Sequence, residues 1–176
     1  MSERFGPTLL KRQLLESIEA DIEWLTQESV GDSPIEKLFY AGLSSAIMFR
    51  RCEFEDLYLA SSEEEESKWM EGERNITSLI VRPQAKFSEW RVDFLFHAYA
   101  WGVGRHRWRR LIVECDGHDY HERTKEQAAK DRSRDRLGLQ KEVPVIRFTG
   151  SELWRDPFNC VQQFLDIAVS DWGRGR

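Results

Sequence analysis

Three acidic residues interrupt or follow apolar segments in the middle of the chain. Asp93 lies inside one apolar run, and Glu114 and Asp116 follow another. Burying a carboxylate without a partner is costly, so acids on core strands need a purpose. Two carboxylates from separate strands, with the backbone carbonyl of Cys115, would offer the oxygen ligands that Mg²⁺ prefers. Because such an ion can activate water and stabilise charge on a phosphate, the pattern predicts a hydrolytic metal site.

The alternation of side chains along a strand fixes where these acids point. Glu114 and Asp116 should share one face, and Cys115 should turn the other way, toward the core. In the earlier strand, Asp93 should lie opposite a shared apolar face made of Val92, Phe94 and Phe96. If the two strands are neighbours, Asp93 and Glu114 converge at one edge of the sheet.

The surrounding elements predict an α/β fold with a mixed sheet flanked by helices. Apolar periodicity predicts an N-terminal helix over about 9–26. Ser33 as N-cap, Pro34 in the first turn and Glu36 in a capping-box position predict a second helix over 34–45. Strands are predicted over 47–60, 75–82, 89–98, 109–116 and 144–148, and further helices over 122–140 and 156–169.

The order of these elements limits the topology. A helix between the strand that holds Glu114 and the 144–148 strand makes those two strands parallel. The last helix should be amphipathic, with five side chains facing inward: Phe158, Val161, Phe164, Leu165 and Ala168. The chain should comprise an N-terminal helical extension (1–32), one domain (33–170) and a short tail (171–176).

Composition is typical of a globular protein. The chain has 176 residues, and no apolar stretch approaches the roughly 20 residues that span a bilayer, so no membrane partner is expected. Three widely spaced cysteines and an N-terminus without an apolar signal core predict a cytoplasmic protein with reduced thiols. The net charge of −5 comes from residues 50–76. Within them, the Glu-rich segment 61–73 is expected to be a solvated loop or insertion, which leaves a locally basic face elsewhere compatible with nucleic acid.

The acidic strands and the residues after them resemble the PD-(D/E)XK nuclease superfamily. More narrowly, they are similar to its DUF559 and very-short-patch-repair-like endonuclease branch. The resemblance covers roughly residues 33–168 and is carried by 92–94, 113–121, 131–136 and 145–149. It implies a restriction-endonuclease-like core of the order αβββαβ and a DNA endonuclease that depends on Mg²⁺, with Mn²⁺ as a substitute. RNA is not excluded as a substrate.

The resemblance also implies roles for individual residues. Asp93 and Glu114 match the metal-binding acids, and Glu36 matches an acid that the first core helix contributes. A plain capping box is the alternative for Glu36. Asp116 stands where most of the superfamily has a lysine, so the positive charge of that lysine must come from elsewhere.

His121 and Lys125, which follow the second acidic strand, are candidates for the role of the missing lysine. His121 matches a histidine that, in the very-short-patch-repair branch, acts on the attacking water, and an imidazole suits a general base near neutral pH. Lys125 lies one helical turn later and would supply a positive charge. The alternative for both is a solvated position near a helix start.

Several polar residues are candidates for contact with nucleic acid. Gln84 resembles a glutamine that often precedes the first acidic strand in the family. A basic and aromatic cluster contains Arg105, Arg107 and Arg109, and the charged helix carries Lys130, Arg132 and Arg136. Cations of this kind can follow a phosphate backbone. A solvated turn and a charged helix face with i,i+4 pairs are the alternatives.

Other interpretations of the same residues remain open. Cys115, His118 and His121 have a spacing compatible with zinc, although strand geometry turns Cys115 away from Glu114. The missing lysine favours a second function, a catalytically inactive module on the same fold that binds nucleic acid or protein. A third interpretation is an effector subunit or homodimer in which a partner supplies DNA targeting.

Overall fold

The computed structural model describes residues 33–49, 52–71, 76–101, 107–117, 132–134, 136 and 138–170. The elements within those residues are α1 (Pro34–Met48), β1 (Asp56–Leu59), α2 (Glu63–Glu71), β2 (Ser78–Phe87), β3 (Trp90–Ala100), β4 (Arg107–Asp116), β5 (Val145–Thr149), α3 (Gly150–Arg155) and α4 (Pro157–Val169). Residues described as helical also occur between 132 and 140, before β5. The predicted helix over 9–26, the extension 1–32 and the tail 171–176 lie outside the described residues.

The five strands form one mixed sheet in the order β1-β2-β3-β4-β5. β2, β3 and β4 form an antiparallel meander, while β1 pairs with β2 and β4 pairs with β5 in parallel. The predicted α/β class and the parallel pairing of β4 with β5 are confirmed. The parallel β1–β2 pair was not predicted, and it follows from the position of α2 between these strands, because parallel neighbours need a crossover connection.

Helices α1 and α4 cover one face of the sheet and bury the main core with it. Phe39 of α1 is fully buried and its ring centroid lies 5.7–6.4 Å from those of Phe94, Phe96, Phe148 and Phe164. The thiol-bearing side chain of Cys115 belongs to this cluster, as its position in the strand predicts. The rings hold β3 and β5 against α1, close to the strand ends where the acids lie.

The opposite face of the sheet carries a smaller apolar cluster that includes Val92, Leu95 and Ile112. Val92 therefore does not share a face with Phe94 and Phe96, and that prediction is wrong. The pairing of β2 with β3 lacks the residue pair at Gln84, whose φ is 50°, and it continues in the same register on both sides.

The Glu-rich segment 61–73 is not a solvated loop, because residues 63–71 form helix α2. The hydroxyl of Ser62 accepts a hydrogen bond from the backbone N–H of Glu65 at 3.1 Å, which caps the helix. Acidic residues in a first turn also interact favourably with the positive end of the helix dipole. Trp69 stacks on Tyr58 of β1 at 4.5 Å and anchors α2 to the sheet.

Other features of the fold also differ from the predictions. The predicted strand over 47–60 is shorter, because α1 continues to Met48 and β1 begins at Asp56. Helix α3 was not predicted, and a capping box between Thr149 and Glu152 starts it directly after β5. Phe158 is 55% exposed rather than facing inward. In the described part of the chain, no helix is both long and apolar enough to cross a membrane.

Candidate functional site

The structure brings Asp93 and Glu114 together on neighbouring strands. The β3–β4 register ends at the pair Phe94–Val113, so the next residue on each strand, Asp93 and Glu114, falls opposite the other. Beyond this pair, a side chain takes the place of the backbone acceptor on β3. The Oδ2 atom of Asp93 accepts a hydrogen bond from the backbone N–H of Cys115 at 2.7 Å. The two strands therefore part at the acids, and the Asp93 carboxylate is held in place by backbone.

Helix α1 adds a third carboxylate to this edge of the sheet. Ser33 caps the helix, since its hydroxyl accepts a hydrogen bond from the Glu36 N–H at 3.2 Å. The buried Glu36 carboxylate reaches the sheet and accepts a hydrogen bond from Gln84 Nε2 at 2.5 Å. The unusual φ of Gln84 thus accompanies a specific contact, which ties β2 to the acid of α1.

Burial and neighbouring negative charges oppose the ionisation of Asp93. Burial raises its pKa, and the charges of Glu36 and Asp116 raise it further, while the Cys115 N–H and Arg134 act in the opposite direction. The resulting pKa is about 6. In this environment, any cation that approaches the carboxylate stabilises its ionised form.

Glu114 behaves in the same way on the adjacent strand. Burial first, and then the charge of Asp93, raise its pKa to about 7, and Arg134 and Arg147 partly oppose this shift. Arg134 Nη1 lies 3.9 Å from Glu114 Oε2, and Arg147 of β5 is the register partner of Glu114. Two guanidinium groups therefore flank Glu114 on the side away from the main core.

Asp116 and Cys115 complete the arrangement. The half-buried Asp116 lies close enough to raise the pKa of both Asp93 and Glu114. The Cys115 thiol is buried in the main core, and its pKa is strongly raised by burial and then by the surrounding carboxylates. Within the described residues, no group of three or more His, Cys, Asp or Glu side chains is arranged to hold a metal ion.

Arg109 does not reach this site. The Arg109 guanidinium donates hydrogen bonds to the Ile167 carbonyl at 2.6 Å and to Ser170 Oγ at 2.8 Å, at the end of α4. It lies five residues before Glu114 on β4, about 17 Å along the strand. Arg107 is at the far end of the same strand. The side chains of Arg132 and Arg136 are exposed.

Other predicted residues fall outside the described part of the chain. These are the candidate base His121, the candidate cation Lys125, the zinc candidate His118, and the basic residues Arg105 and Lys130. Their roles stay predictions.

Sequence reasoning missed the two arginines that act on Glu114. Arg147 offered a signal, because a cation in the middle of a short apolar strand needs a buried partner, and the parallel neighbour carries an acid at the matching position. No such signal marks Arg134, since several other charged residues surround it in the sequence and nothing distinguishes it from them. Only the packing of the helical residues near 134 against β4 distinguishes it.

Comparison with known proteins gives little further information. The sequence matches no protein-family model. No curated protein matches it either. A solved structure described as the crystal structure of HopZ1a in complex with IP6 is similar to it at 10% sequence identity, with a TM-score of 0.32. The match covers 92% of this chain but only 58% of the other, and a likeness of this size assigns neither family nor function.

Proposed function

We propose that the chain is a divalent-metal-dependent endonuclease that hydrolyses DNA phosphodiester bonds, with a restriction-endonuclease-like core of the PD-(D/E)XK type. The proposal rests on one observation above all others. Asp93 accepts a hydrogen bond from the backbone of the strand that carries Glu114, so two acids from separate strands meet where those strands part. Repair, defence and the processing of mobile elements all use this kind of reaction.

The donor set at the site suits a hard cation. Asp93 and Glu114 offer carboxylate oxygens, and the backbone carbonyl of Cys115 is the third oxygen that the sequence predicts. Two protein carboxylates are sufficient for Mg²⁺, which commonly keeps several water or phosphate ligands. The raised pKa of both acids supports this assignment, because burial and then nearby negative charge oppose ionisation, and a bound divalent ion would counter both. Such an ion would polarise a phosphate and lower the pKa of a bound water.

The protein side chains have separate tasks in this proposal. The Cys115 N–H holds the Asp93 carboxylate in one orientation. Gln84 holds Glu36 at the rim of the site, where its charge adds to the attraction for a cation. Arg134, beside Glu114, supplies a positive charge that Asp116 cannot, and a guanidinium is well suited to a phosphate oxygen. His121 stays the proposed general base and Lys125 a second source of charge.

Cleavage of supercoiled plasmid tests the proposal. Purified protein is incubated with plasmid, single-stranded DNA and RNA in Mg²⁺, in Mn²⁺ and in a chelator. We expect metal-dependent nicking or cutting of DNA, and a loss of at least about 100-fold in Asp93→Asn and Glu114→Gln, because each removes a charged ligand. The Asn variant keeps an oxygen that can accept the hydrogen bond from Cys115, so the strands should stay in place.

Asp166→Asn is the matched control, because Asp166 is an exposed carboxylate on α4 whose partner is Gln162 one turn earlier. Its activity should equal that of the unaltered protein. Cleavage by the Asp93→Asn variant at the control rate would remove the proposal.

A second candidate function is a binding module on the same fold that has lost cleavage. The acid at position 116, in place of a lysine, favours it, as does the lack of a three-residue metal group among the described side chains. Calorimetric titration with Mn²⁺ separates the two functions. A nuclease should bind the ion with an affinity that Asp93→Asn reduces, whereas a binding module should bind DNA equally well in a chelator.

A further inference from the structure

A second polar cluster lies on the opposite face of the sheet from the main core. Its centre is Glu66 of α2, which is 5% exposed, and His97 of β3, which is 4% exposed. One carboxylate oxygen of Glu66 contacts His97 Nε2, and the other contacts the side chain of Arg82 on β2. Burial favours a raised pKa for Glu66, but the hydrogen bond and charge of His97, and then Arg82, hold its pKa below the ordinary value.

This cluster forms the inner wall of a cleft of about 350 Å³ between α2 and the sheet. Four basic side chains line the described part of the cleft, from β2, β4 and the turn before β5: Arg82, Lys86, Arg110 and Lys141. Two carboxylates, Glu63 and Glu66, oppose them. The lining is therefore positive even with both acids ionised, although the chain as a whole is acidic.

His97 provides an independent indication of a ligand. Its Nε2 is occupied by Glu66, whereas its buried Nδ1 has no hydrogen-bond partner among the described residues. Buried polar atoms are almost always satisfied, so an unsatisfied one calls for an explanation. The carboxylate on Nε2 accepts the proton of that nitrogen, so Nδ1 of the neutral ring is an acceptor, which a hydroxyl group of a ligand could satisfy.

The remaining lining indicates what else the ligand carries. Met70 of α2 and the buried side chains Phe87 and Leu95 also line the cleft. A small organic anion could therefore place its charged group against the cations and an apolar or aromatic body against these side chains. The volume suits a molecule of about mononucleotide size.

We propose that this cleft binds a small phosphate monoester with an aromatic body, such as a mononucleotide. Cationic donors reach the cleft from β2, β4 and the 141 turn, and three phosphate oxygens can accept from more of these directions than the two oxygens of a carboxylate. The ribose hydroxyls of a mononucleotide could donate to His97 Nδ1. The site is separate from the acid cluster, so it stands whether or not the chain is a nuclease.

Calorimetric titration with adenosine monophosphate, inorganic phosphate and adenosine tests the site. A chelator is present throughout, so that no metal-bound nucleotide forms. We expect the monophosphate to bind more tightly than phosphate, and adenosine at least tenfold more weakly than the monophosphate. Arg110→Gln and Lys141→Gln, both of exposed residues at the rim, should each weaken the binding of monophosphate roughly fivefold to tenfold.

His97→Gln is the sharpest variant, because a glutamine can reach Glu66 in place of Nε2 but has no atom at Nδ1. We expect about a tenfold loss of affinity, measured at a temperature where circular dichroism shows that the variant is fully folded. Arg155→Gln, an exposed cation at the end of α3 and outside the cleft, is the matched control and should bind normally. Asp93→Asn should also bind normally, which separates this site from the proposed nuclease.

Three results would overturn the proposal. One is adenosine binding as tightly as its monophosphate, which would leave no role for the cations. Another is equal affinity in Arg110→Gln, Lys141→Gln and the Arg155→Gln control. The third is inorganic phosphate binding as tightly as the monophosphate, which would exclude the aromatic body and reduce the site to a simple anion site.

Discussion

Buried carboxylates occur in two regions of this sheet, and their neighbours differ. At the β3–β4 edge, Asp93 and Glu114 lie among other acids, and the pKa of each is raised, to about 6 and about 7. On the opposite face, Glu66 is also buried but lies between His97 and Arg82, and its pKa is lowered. Burial alone therefore does not decide the sign of the shift. The charge of the nearest neighbours does.

The difference separates two uses of a buried acid. The Glu66 charge is compensated within the protein, which makes it part of the fold and of the cleft wall. The charges of Asp93 and Glu114 are only partly compensated by Arg134 and Arg147. Carboxylates held together without full compensation are typical of sites that bind a cation or exchange a proton.

The largest effect on stability should come from the compensated acid. Glu66→Gln removes the negative charge that contacts His97 and Arg82, and it leaves the Arg82 guanidinium without its ionic partner. We expect the free energy of unfolding to fall by about 3–5 kcal/mol, because breaking a buried ion pair by removing one partner is strongly destabilising. Urea denaturation followed by tryptophan fluorescence measures it.

Glu64→Gln on the same helix is the control, since Glu64 is exposed, and its effect should stay within about 0.5 kcal/mol. Equal midpoints for the two variants would mean that Glu66 is not the partner of His97 and Arg82.

The dependence of stability on pH should have opposite signs in the two regions. The raised pKa of Asp93 and Glu114 means that their ionisation opposes folding, so a chelated protein should become more stable as pH falls from 8 toward 5. The lowered pKa of Glu66 means that its stabilising contribution is present above the ordinary glutamate pKa and is lost as pH falls through the lowered value. Stability in a chelator should therefore be greatest near pH 5.

Denaturation midpoints at pH 8, 7, 6, 5 and 4 test this, with Asp93→Asn/Glu114→Gln as the comparison. In that double variant the rise between pH 8 and 5 should disappear, and the loss at lower pH should remain. Saturating Mg²⁺ should also flatten the rise, if the ion binds ionised carboxylates. A chelated protein whose stability falls steadily from pH 8 to 5 would contradict the assignment of raised pKa values.

The smallest expected effect concerns the partial compensation of Glu114. Arg134→Gln removes a positive charge 3.9 Å from the carboxylate, so the pKa of Glu114 should rise further. Stability at pH 8 should fall by less than about 1 kcal/mol, because Arg134 is about a third exposed and water screens the pair.

Carbon NMR of the Glu114 carboxyl measures the pKa, and Arg136→Gln, from an exposed position, is the control. An unchanged Glu114 pKa would remove Arg134 from the site.

Local patterns predicted the part of the fold that holds the acids. Alternation along β4 placed Cys115 in the core, and the crossover connection made β4 and β5 parallel. The meeting of Asp93 with the Glu114 strand followed from the same alternation and from the pairing of adjacent strands. These features depend on short-range periodicity and on general rules of connection, which a sequence displays directly.

Features that depend on tertiary packing were not predictable in the same way. The segment around Glu66 looked solvated because four acids follow one another, yet Glu66 is buried since cations on β2 and β3 meet it. Val92 packs in the smaller apolar cluster rather than with Phe94 and Phe96, and the residue types along β3 do not indicate this change of face. Arg134 reaches Glu114 only through the packing of distant segments.

The pairing of Arg147 with Glu114 has a consequence for folding as well. Both residues lie beside apolar neighbours on their strands. A slip of one residue would turn the whole of β5 over, exposing Phe148 and directing the guanidinium into the aromatic core. The charged pair therefore excludes the misaligned sheet, and it selects a single arrangement of β5 as the chain folds.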